Sequence, residues 1–140
     1  NGLHSIADIQ KLGEFYGLHP LLMEDIVDIE QRPKVEEFED HIFLIAKMLY
    51  LHEGQLVFEH ISFVLGSNFL ITFQEAGTDV FDEIRKRLEL GRGRVRGEGA
   101  DYLMFALLDA ITDHYALVMD ALGEKIEHLE EALFNHPAED

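Results

Sequence analysis

Adjacent carboxylates mark a short segment near the start of the chain, at Glu24, Asp25, Asp28 and Glu30. Neighbouring carboxylates repel one another and stay ionised at neutral pH only when they are solvated or partnered by a cation. Hard oxygen ligands of this kind suit Mg²⁺ or Ca²⁺, and Mg²⁺ usually keeps several waters beside one or two carboxylates. The segment is not an EF-hand loop, because it lacks alternating ligands and the sixth-position glycine. The spacing therefore permits a cation site, and equally a solvated acidic surface.

A second acidic pattern runs along a helical segment near the end of the chain. Its carboxylates recur at helical steps of three, four and seven residues, at Asp109, Asp113, Asp120, Glu124, Glu127 and Glu131. Like charges at i and i+4 destabilise a helix by about 0.2–0.5 kcal/mol per pair, and only Lys125 stands nearby to offset them. A water-exposed helix face tolerates this cost. Divalent cations, or basic groups of another chain, would also offset it, and spacing alone singles out no one residue of the stripe.

Other kinds of chemistry are poorly represented. The chain has no cysteine, which excludes disulfides and thiolate metal centres. His52-Glu53 is not followed by the spaced second histidine of a zinc hydrolase, and Asp113-His114 is more typical of helix packing than of a catalytic pair. No Ser/His/Asp arrangement and no phosphate-binding glycine loop is present. We therefore expect a protein that is not an enzyme.

The charge balance indicates what the chain attracts. With 28 acidic and 11 basic residues its formal net charge is −17, which argues against nucleic acid or an anionic membrane surface as a partner and favours cations. Solubility is the simpler explanation of such a charge. Six of the basic residues crowd into residues 85–96. Their arginine-glycine loop, at 91–99, is expected to meet acidic neighbours.

Periodicity predicts an α/β order of elements. Ser5 caps a first helix that ends at Gly17, and Pro20 opens a short second helix to about Ile29. Runs rich in Ile, Val, Phe and Leu predict a three-strand antiparallel meander, at His41–Leu51, Gln55–Leu65 and Phe69–Gln74. Thr78 or Asp79 is expected to cap a third helix to about Leu90. A long helix is predicted from about Ala100 to Phe134, stopped by Pro137.

Length predicts a single domain over residues 1–140. The strongest apolar stretches, Ile42–Ala46 and Leu103–Leu108, are each cut short by a charge, whereas a membrane span needs about 20 largely apolar residues. We therefore expect no bilayer-crossing segment. Because the sequence opens at Asn1 without an initiating methionine, it is expected to be an excised fragment.

Several runs of the chain together form one pattern. The first run extends from Gly13 to Ile26 and contains Glu24-Asp25, and the second extends from Gln31 to Glu36. The later runs are Phe73-Gln74-Glu75, Asp79 to Asp82 with Arg85 and Arg87, and Ala100 to Leu103 with Leu108-Asp109-Ala110 and Asp113. In this order and spacing the runs resemble segments of CorA transporters, and the resemblance covers nearly the whole chain.

The resemblance implies a cytosolic N-terminal domain at the inner face of the membrane, with an α/β/α layered fold, a mixed and largely antiparallel sheet, and a long C-terminal helix. It implies a homopentamer in which Mg²⁺, or Co²⁺ or another divalent cation, binds between neighbouring domains and holds the pore closed. By the same resemblance the metal-binding carboxylates fall on Glu24, Asp25 and Asp109.

The chain departs from the family pattern at both ends. The strands that normally come first, the acidic stalk helix, the two membrane helices and the Gly-Met-Asn pore motif are not in this sequence, so transport by the chain alone is not expected. An open sheet edge could pair with another chain. Two alternatives remain, a related zinc transporter and a structural or oligomerisation module whose acidic stripe only solubilises. The pore motif of the intact protein would distinguish a zinc transporter from a CorA transporter. Metal binding at Glu24, Asp25 and Asp109 would distinguish a cation-sensing domain from a structural module.

Overall fold

The computed structural model describes residues 5–135, and within that range the fold has four helices and four strands. In chain order the elements are α1 (Ile6–Tyr16), α2 (Pro20–Val27), β1 (Lys34–Glu37), β2 (His41–His52), β3 (Gln55–Gly66), β4 (Leu70–Gln74), α3 (Asp82–Leu90) and α4 (Ala100–Asn135).

The four strands form one sheet in the order β1-β2-β3-β4, and each neighbouring pair is antiparallel. The predicted three-strand meander is confirmed as β2, β3 and β4. Strand β1 was missed by the sequence prediction, which ended the second helix at the Gln31-Arg32-Pro33 break and assigned no strand after it. The turn between β2 and β3 uses positive φ angles at Glu53 (50°) and Gly54 (77°), a conformation that glycine adopts without steric cost.

Helices cover both faces of the sheet, which confirms the α/β/α layers. On one face, α1 and α2 bury a core built from Ile9, Leu18, Leu22, Ile26, Phe43, Ile45, Val64 and Phe73. On the other face, α3 and α4 bury a core that includes Met48, Tyr50, Ile61, Phe63, Ile84, Met104, Leu107 and Ile111. Alternate residues of β2 and β3 supply the two cores, as strand geometry requires.

The helix ends match local sequence signals in part. Ser5 caps α1 by accepting a hydrogen bond from the Asp8 backbone N–H, and Gly17 ends the helix in the left-handed conformation. Helix α2 ends at Val27, two residues before the predicted end. The predicted cap of α3 is wrong, because the helix starts at Asp82 and Phe81 occupies the cap position without a side-chain hydrogen bond.

Helix α4 is buried against the sheet along its first half, and residues 122–135 in its second half are exposed. Its buried residues end at Val118, and its outer acids, such as Asp113, Asp120 and Glu124, are exposed as expected. By length and composition α4 is also a candidate membrane span within residues 5–135, with a window of mean hydropathy 1.2. Its first half, however, packs on the sheet, as the core helix of a domain does. The predicted stop at Pro137 lies outside the described residues.

Candidate metal site

Helix α2 positions the pair Glu24 and Asp25. The helix begins with Pro20, whose fixed φ suits the first turn, and the His19 side chain accepts a hydrogen bond from the Leu21 backbone N–H at 3.1 Å. Leu22 and Ile26 anchor the opposite side of α2 in the core. Their burial turns Glu24 out to solvent and leaves the Asp25 carboxylate on the flank of the helix, with its side chain 20% exposed.

Asp25 already has a cationic neighbour in this chain. Lys34, the first residue of β1, places its Nζ 2.7 Å from Asp25 Oδ2 and 2.5 Å from Glu36 Oε1. The hydrogen bond to Asp25, and then that to Glu36, raises the pKa of Lys34. The lysine thus offsets part of the repulsion between adjacent carboxylates that the sequence pattern implied. Sequence reasoning missed this residue, although the run that contains it was part of the family resemblance.

Glu24 lies at the edge of a groove between α1 and α2. The groove has a volume of about 670 Å³ and a mainly apolar lining that includes Ile6, Ile9, Leu18 and Val27. The two helices pack closely here, because a Cβ on Gly13 would lie 2.5 Å from Met23 Sδ. Glu24 therefore presents its carboxylate beside an apolar surface and in contact with water.

Asp109 lies on the outer layer of the other side of the sheet. Leu107 and Ile111, on either side of it in sequence, are buried against the sheet, which turns Asp109 outward. It lines a shallow groove of about 250 Å³ between α3 and α4, together with Glu83, Arg87 and Asp113. Within residues 5–135 no ion pair joins Asp109 to a basic side chain.

The structure does not bring the three predicted ligands together in one chain. Glu24 and Asp25 stand on the α1/α2 layer, and Asp109 stands on the α3/α4 layer beyond the sheet. Among the described residues no group of three or more acidic, histidine or cysteine side chains is arranged to hold a metal ion. A cation that contacts both the α2 pair and Asp109 must therefore lie between two chains.

A buried polar network fixes the loop between β4 and α3. Glu59 accepts hydrogen bonds from Tyr50 Oη and from the Ala76 backbone N–H, both at 2.7 Å. Asp79 accepts from Arg85 Nη1 at 2.7 Å and from Gln74 Nε2 at 2.8 Å. Asp79 also belonged to the family-like run of the sequence, and the structure gives it a structural part in holding α3 to the sheet.

Burial alone would raise the pKa of Asp79. Hydrogen bonds from Arg85, Gln74 and the Phe81 backbone outweigh that cost and hold the pKa below its ordinary value. The carboxylate is therefore ionised at neutral pH, and it is engaged by this chain's own groups. It is not a candidate metal ligand.

The α/β/α domain has exposed carboxylates on both outer helical layers, Glu24 on one and Asp109 on the other. Acidic surfaces of this kind attract cations, so the domain belongs to the class of cation-attracting α/β/α proteins. The family model for the CorA-like Mg2+ transporter protein matches residues 3–140. The chain belongs to this family.

Individual relatives agree with the family assignment. The Cobalt/magnesium transport protein CorA of Thermotoga maritima is 41% identical over 140 residues, covering 97% of this chain and 39% of the relative. The Magnesium transporter ALR1 of Saccharomyces cerevisiae is 28% identical over 130 residues, covering 91% of this chain and 15% of the relative. The chain thus spans less than half the length of these relatives.

A solved structure shows the same fold. The soluble domain of CorA from Methanocaldococcus jannaschii matches with a TM-score of 0.74 at 22% sequence identity, covering 92% of this chain and 52% of that chain. At this identity the similarity establishes the fold alone. It confirms the predicted layered α/β architecture with its long C-terminal helix.

Proposed function

We propose that this chain is the cytosolic, divalent-cation-sensing domain of a CorA-type Mg²⁺ and Co²⁺ transporter. In this proposal the domain lies at the cytoplasmic face of the cell membrane, and five copies of the protein form a homopentamer around the pore. Family membership supports the transporter class, and relatives named as magnesium or cobalt/magnesium transport proteins support the choice of metal.

The position of the candidate ligands on opposite layers carries the proposal. Because Glu24 and Asp25 face away from one side of the sheet and Asp109 from the other, a shared cation joins unlike surfaces of two chains. Contacts between unlike surfaces are head-to-tail, and they generate rings when the rotation closes. The geometry is thus suited to cations held between successive members of a ring.

The donor set fits Mg²⁺. Mg²⁺ takes one or two carboxylates and keeps several waters, and Glu24 offers an exposed carboxylate next to that of Asp25. When no cation is bound, Lys34 offsets the charge of Asp25 through an ion pair. When the cation binds, Asp25 shares its charge between Lys34 and the metal.

Removal of the cation would leave acidic faces of neighbouring chains opposed without a counterion. Two unit charges 4 Å apart interact by about 4 kcal/mol at an effective dielectric of 20. A few such repulsive contacts shift the equilibrium from the closed ring toward the open one. In this proposal a fall in cytosolic Mg²⁺ separates the domains and opens the pore.

Magnesium binding to the purified chain tests the α2 site. Without the partner carboxylate the site is incomplete, so we expect weak, millimolar-order binding and a melting temperature raised by a few degrees. The double substitution Glu24→Gln and Asp25→Asn should remove most of that shift. The matched control is Glu130→Gln with Glu131→Gln, an exposed acidic pair on α4, which should respond as the parent does.

Two outcomes decide between the proposal and its alternative. If the Glu24/Asp25 variant and the control lose the shift equally, bulk charge explains the effect and the carboxylate pair is not a site. If the Glu24/Asp25 variant responds to Mg²⁺ as the parent does, the domain is better explained as a structural module with a solubilising surface.

A further inference from the structure

His60 is a buried histidine without a hydrogen-bond partner for its ring. It lies in the middle of β3 and is 1% exposed, and neither ring nitrogen is paired within residues 5–135. Ser62, two residues along on the same face, is fully buried and its Oγ is likewise unpaired in this part of the chain. Folded proteins rarely leave buried polar groups unpaired, because the lost hydration is not replaced. Core packing alone does not explain a histidine here.

Three charged side chains from three separate parts of the chain act on His60 electrostatically. Lys47 is its direct partner on β2 in the antiparallel register. Glu75, just after β4, accepts a hydrogen bond from the His60 backbone N–H at 3.2 Å, and Asp28 follows α2. Lys47 Nζ in turn donates to the Ile29 backbone oxygen at 2.6 Å. Lys47, the neighbour of His60 across the strands, thus links the segment after α2 to strand β2.

The surroundings of His60 favour its neutral form. Burial lowers the pKa of His60, and the Lys47 ammonium lowers it further, while Glu75 and Asp28 act in the opposite direction. A proton on the ring would set a second positive charge beside Lys47. It would also need water or a hydrogen-bond acceptor that the closed packing does not supply.

We propose that protonation of His60 at acidic pH loosens the segment that carries Glu24 and Asp25 from the rest of the domain. Protonation of the ring repels Lys47, weakens its contact with Ile29 and admits water beneath residues 20–37. The opening itself needs no metal. Its regulatory meaning, a cation site that loosens when the cytosol is acidified, rests on the function proposed above.

The sign of the pH dependence follows from linkage. The pKa of His60 in the folded chain lies below its ordinary value of 6.5, so the open or unfolded chain binds more protons. Stability is unaffected by this group above about pH 6.5 and falls as the pH drops below that value toward the folded pKa. One such group raises the unfolding equilibrium constant by at most about tenfold per pH unit.

Urea unfolding of the full 140-residue chain without metal tests the proposal, so its outcome is independent of cation binding. His60→Leu removes the titrating ring and keeps the position apolar, and His52→Gln, at an exposed histidine, is the matched control. Between pH 6.5 and 5.5 we expect the unfolding constant of the parent and of His52→Gln to rise up to about fivefold more than that of His60→Leu. An equal rise in the parent and His60→Leu overturns the proposal.

Two measurements on the parent decide the matter even if His60→Leu does not fold. In an NMR titration the His60 ring should remain neutral at pH 6.5, where an imidazole of ordinary pKa is half protonated. Amide exchange in residues 28–34, corrected for the intrinsic effect of pH, should increase between pH 7.5 and 5.5. A His60 ring that titrates near 6.5, or exchange that does not change, contradicts the proposal.

Discussion

Lys34 Nζ lies 2.7 Å from Asp25 Oδ2 and so joins the first residue of β1 to α2. This contact reduces the negative charge that Glu24 and Asp25 together offer to a cation, because Lys34 of the same chain pairs with Asp25. Glu24 has no such partner among the described residues and is exposed. The α2 pair therefore consists of one free carboxylate and one that a cation must share with, or take from, a lysine.

Removal of the Lys34 charge should strengthen cation binding at α2. We expect Lys34→Gln to tighten Mg²⁺ binding by about 1.4- to fivefold, because partly exposed ion pairs contribute about 0.2–1 kcal/mol and the metal no longer competes with the ammonium. Isothermal titration calorimetry at fixed ionic strength measures the change. Lys11→Gln removes the same charge from an exposed position on α1 and is the control. A variant that binds Mg²⁺ no better than Lys11→Gln would show that Lys34 and the cation do not share Asp25.

Loss of the Asp79 carboxylate should destabilise the domain by about 2–3 kcal/mol. The Asp79 side chain is 1% exposed, and it holds Arg85, which is 43% exposed and therefore suffers only part of the cost of an unpaired buried charge. Asp82 also contacts Arg85 but is 83% exposed. Asp82→Asn should therefore cost less than about 0.5 kcal/mol. Chemical denaturation of Asp79→Asn and Asp82→Asn makes the comparison, and equal losses would contradict the structural part given to Asp79.

The same carboxylate predicts a loss of stability in acid. Because the pKa of Asp79 in the folded chain is held below its ordinary value of 3.8, its contribution is fully present above that value. It is lost as the pH falls below 3.8 toward the folded pKa. Denaturation of the parent between pH 5 and pH 3 should show a steeper loss than that of Asp79→Asn. Parallel curves would mean that Asp79 has the same pKa in the folded and unfolded chains.

Helix α4 should show a sharp boundary between core and surface. Ile111 is buried against the sheet, whereas Ile126 is exposed on the part of the helix beyond Val118. Ile111→Ala is expected to cost about 2–4 kcal/mol, since it leaves a cavity, and Ile126→Ala less than about 0.5 kcal/mol. Urea denaturation compares the two identical substitutions. A large loss at Ile126 would show that the end of α4 is buried against something in solution.

The periodic parts of the fold were predictable from the sequence, and the local exceptions were not. The long run of apolar residues at helical spacing predicted α4 almost to its last described residue. Strand β1 was missed because Lys34 to Glu37 contains one apolar residue after a proline, and pairing with β2 rather than propensity makes it a strand. The start of α3 was misplaced because Asp79 was interpreted as a cap, whereas its carboxylate binds Arg85 and the Phe81 backbone.

The candidate site divides in the same way. Adjacent acids on α2 were visible in the sequence, but the Asp25–Lys34 contact spans nine residues of chain and depends on how β1 lies against α2. His60 is one letter in an alternating strand, and only the fold shows that it is buried beside Lys47. Asp109 could be separated from the rest of its stripe only by family resemblance, because all these acids share one helix face.

Substitution of Asp109 by lysine in the intact transporter tests most directly whether cations bind between neighbouring chains. When Mg²⁺ is chelated, the parent should become protease-sensitive and conductive because it loses the mobile cation. In Asp109→Lys a tethered ammonium would replace that cation. The domains of this variant should therefore stay protected, and its pore should stay closed. Asp120→Lys, on the same acidic stripe, is the control and should behave as the parent does. The measurement is limited proteolysis together with Mg²⁺ uptake, with and without chelator. If Asp109→Lys becomes protease-sensitive on chelation to the same extent as Asp120→Lys, Asp109 does not sense the cation.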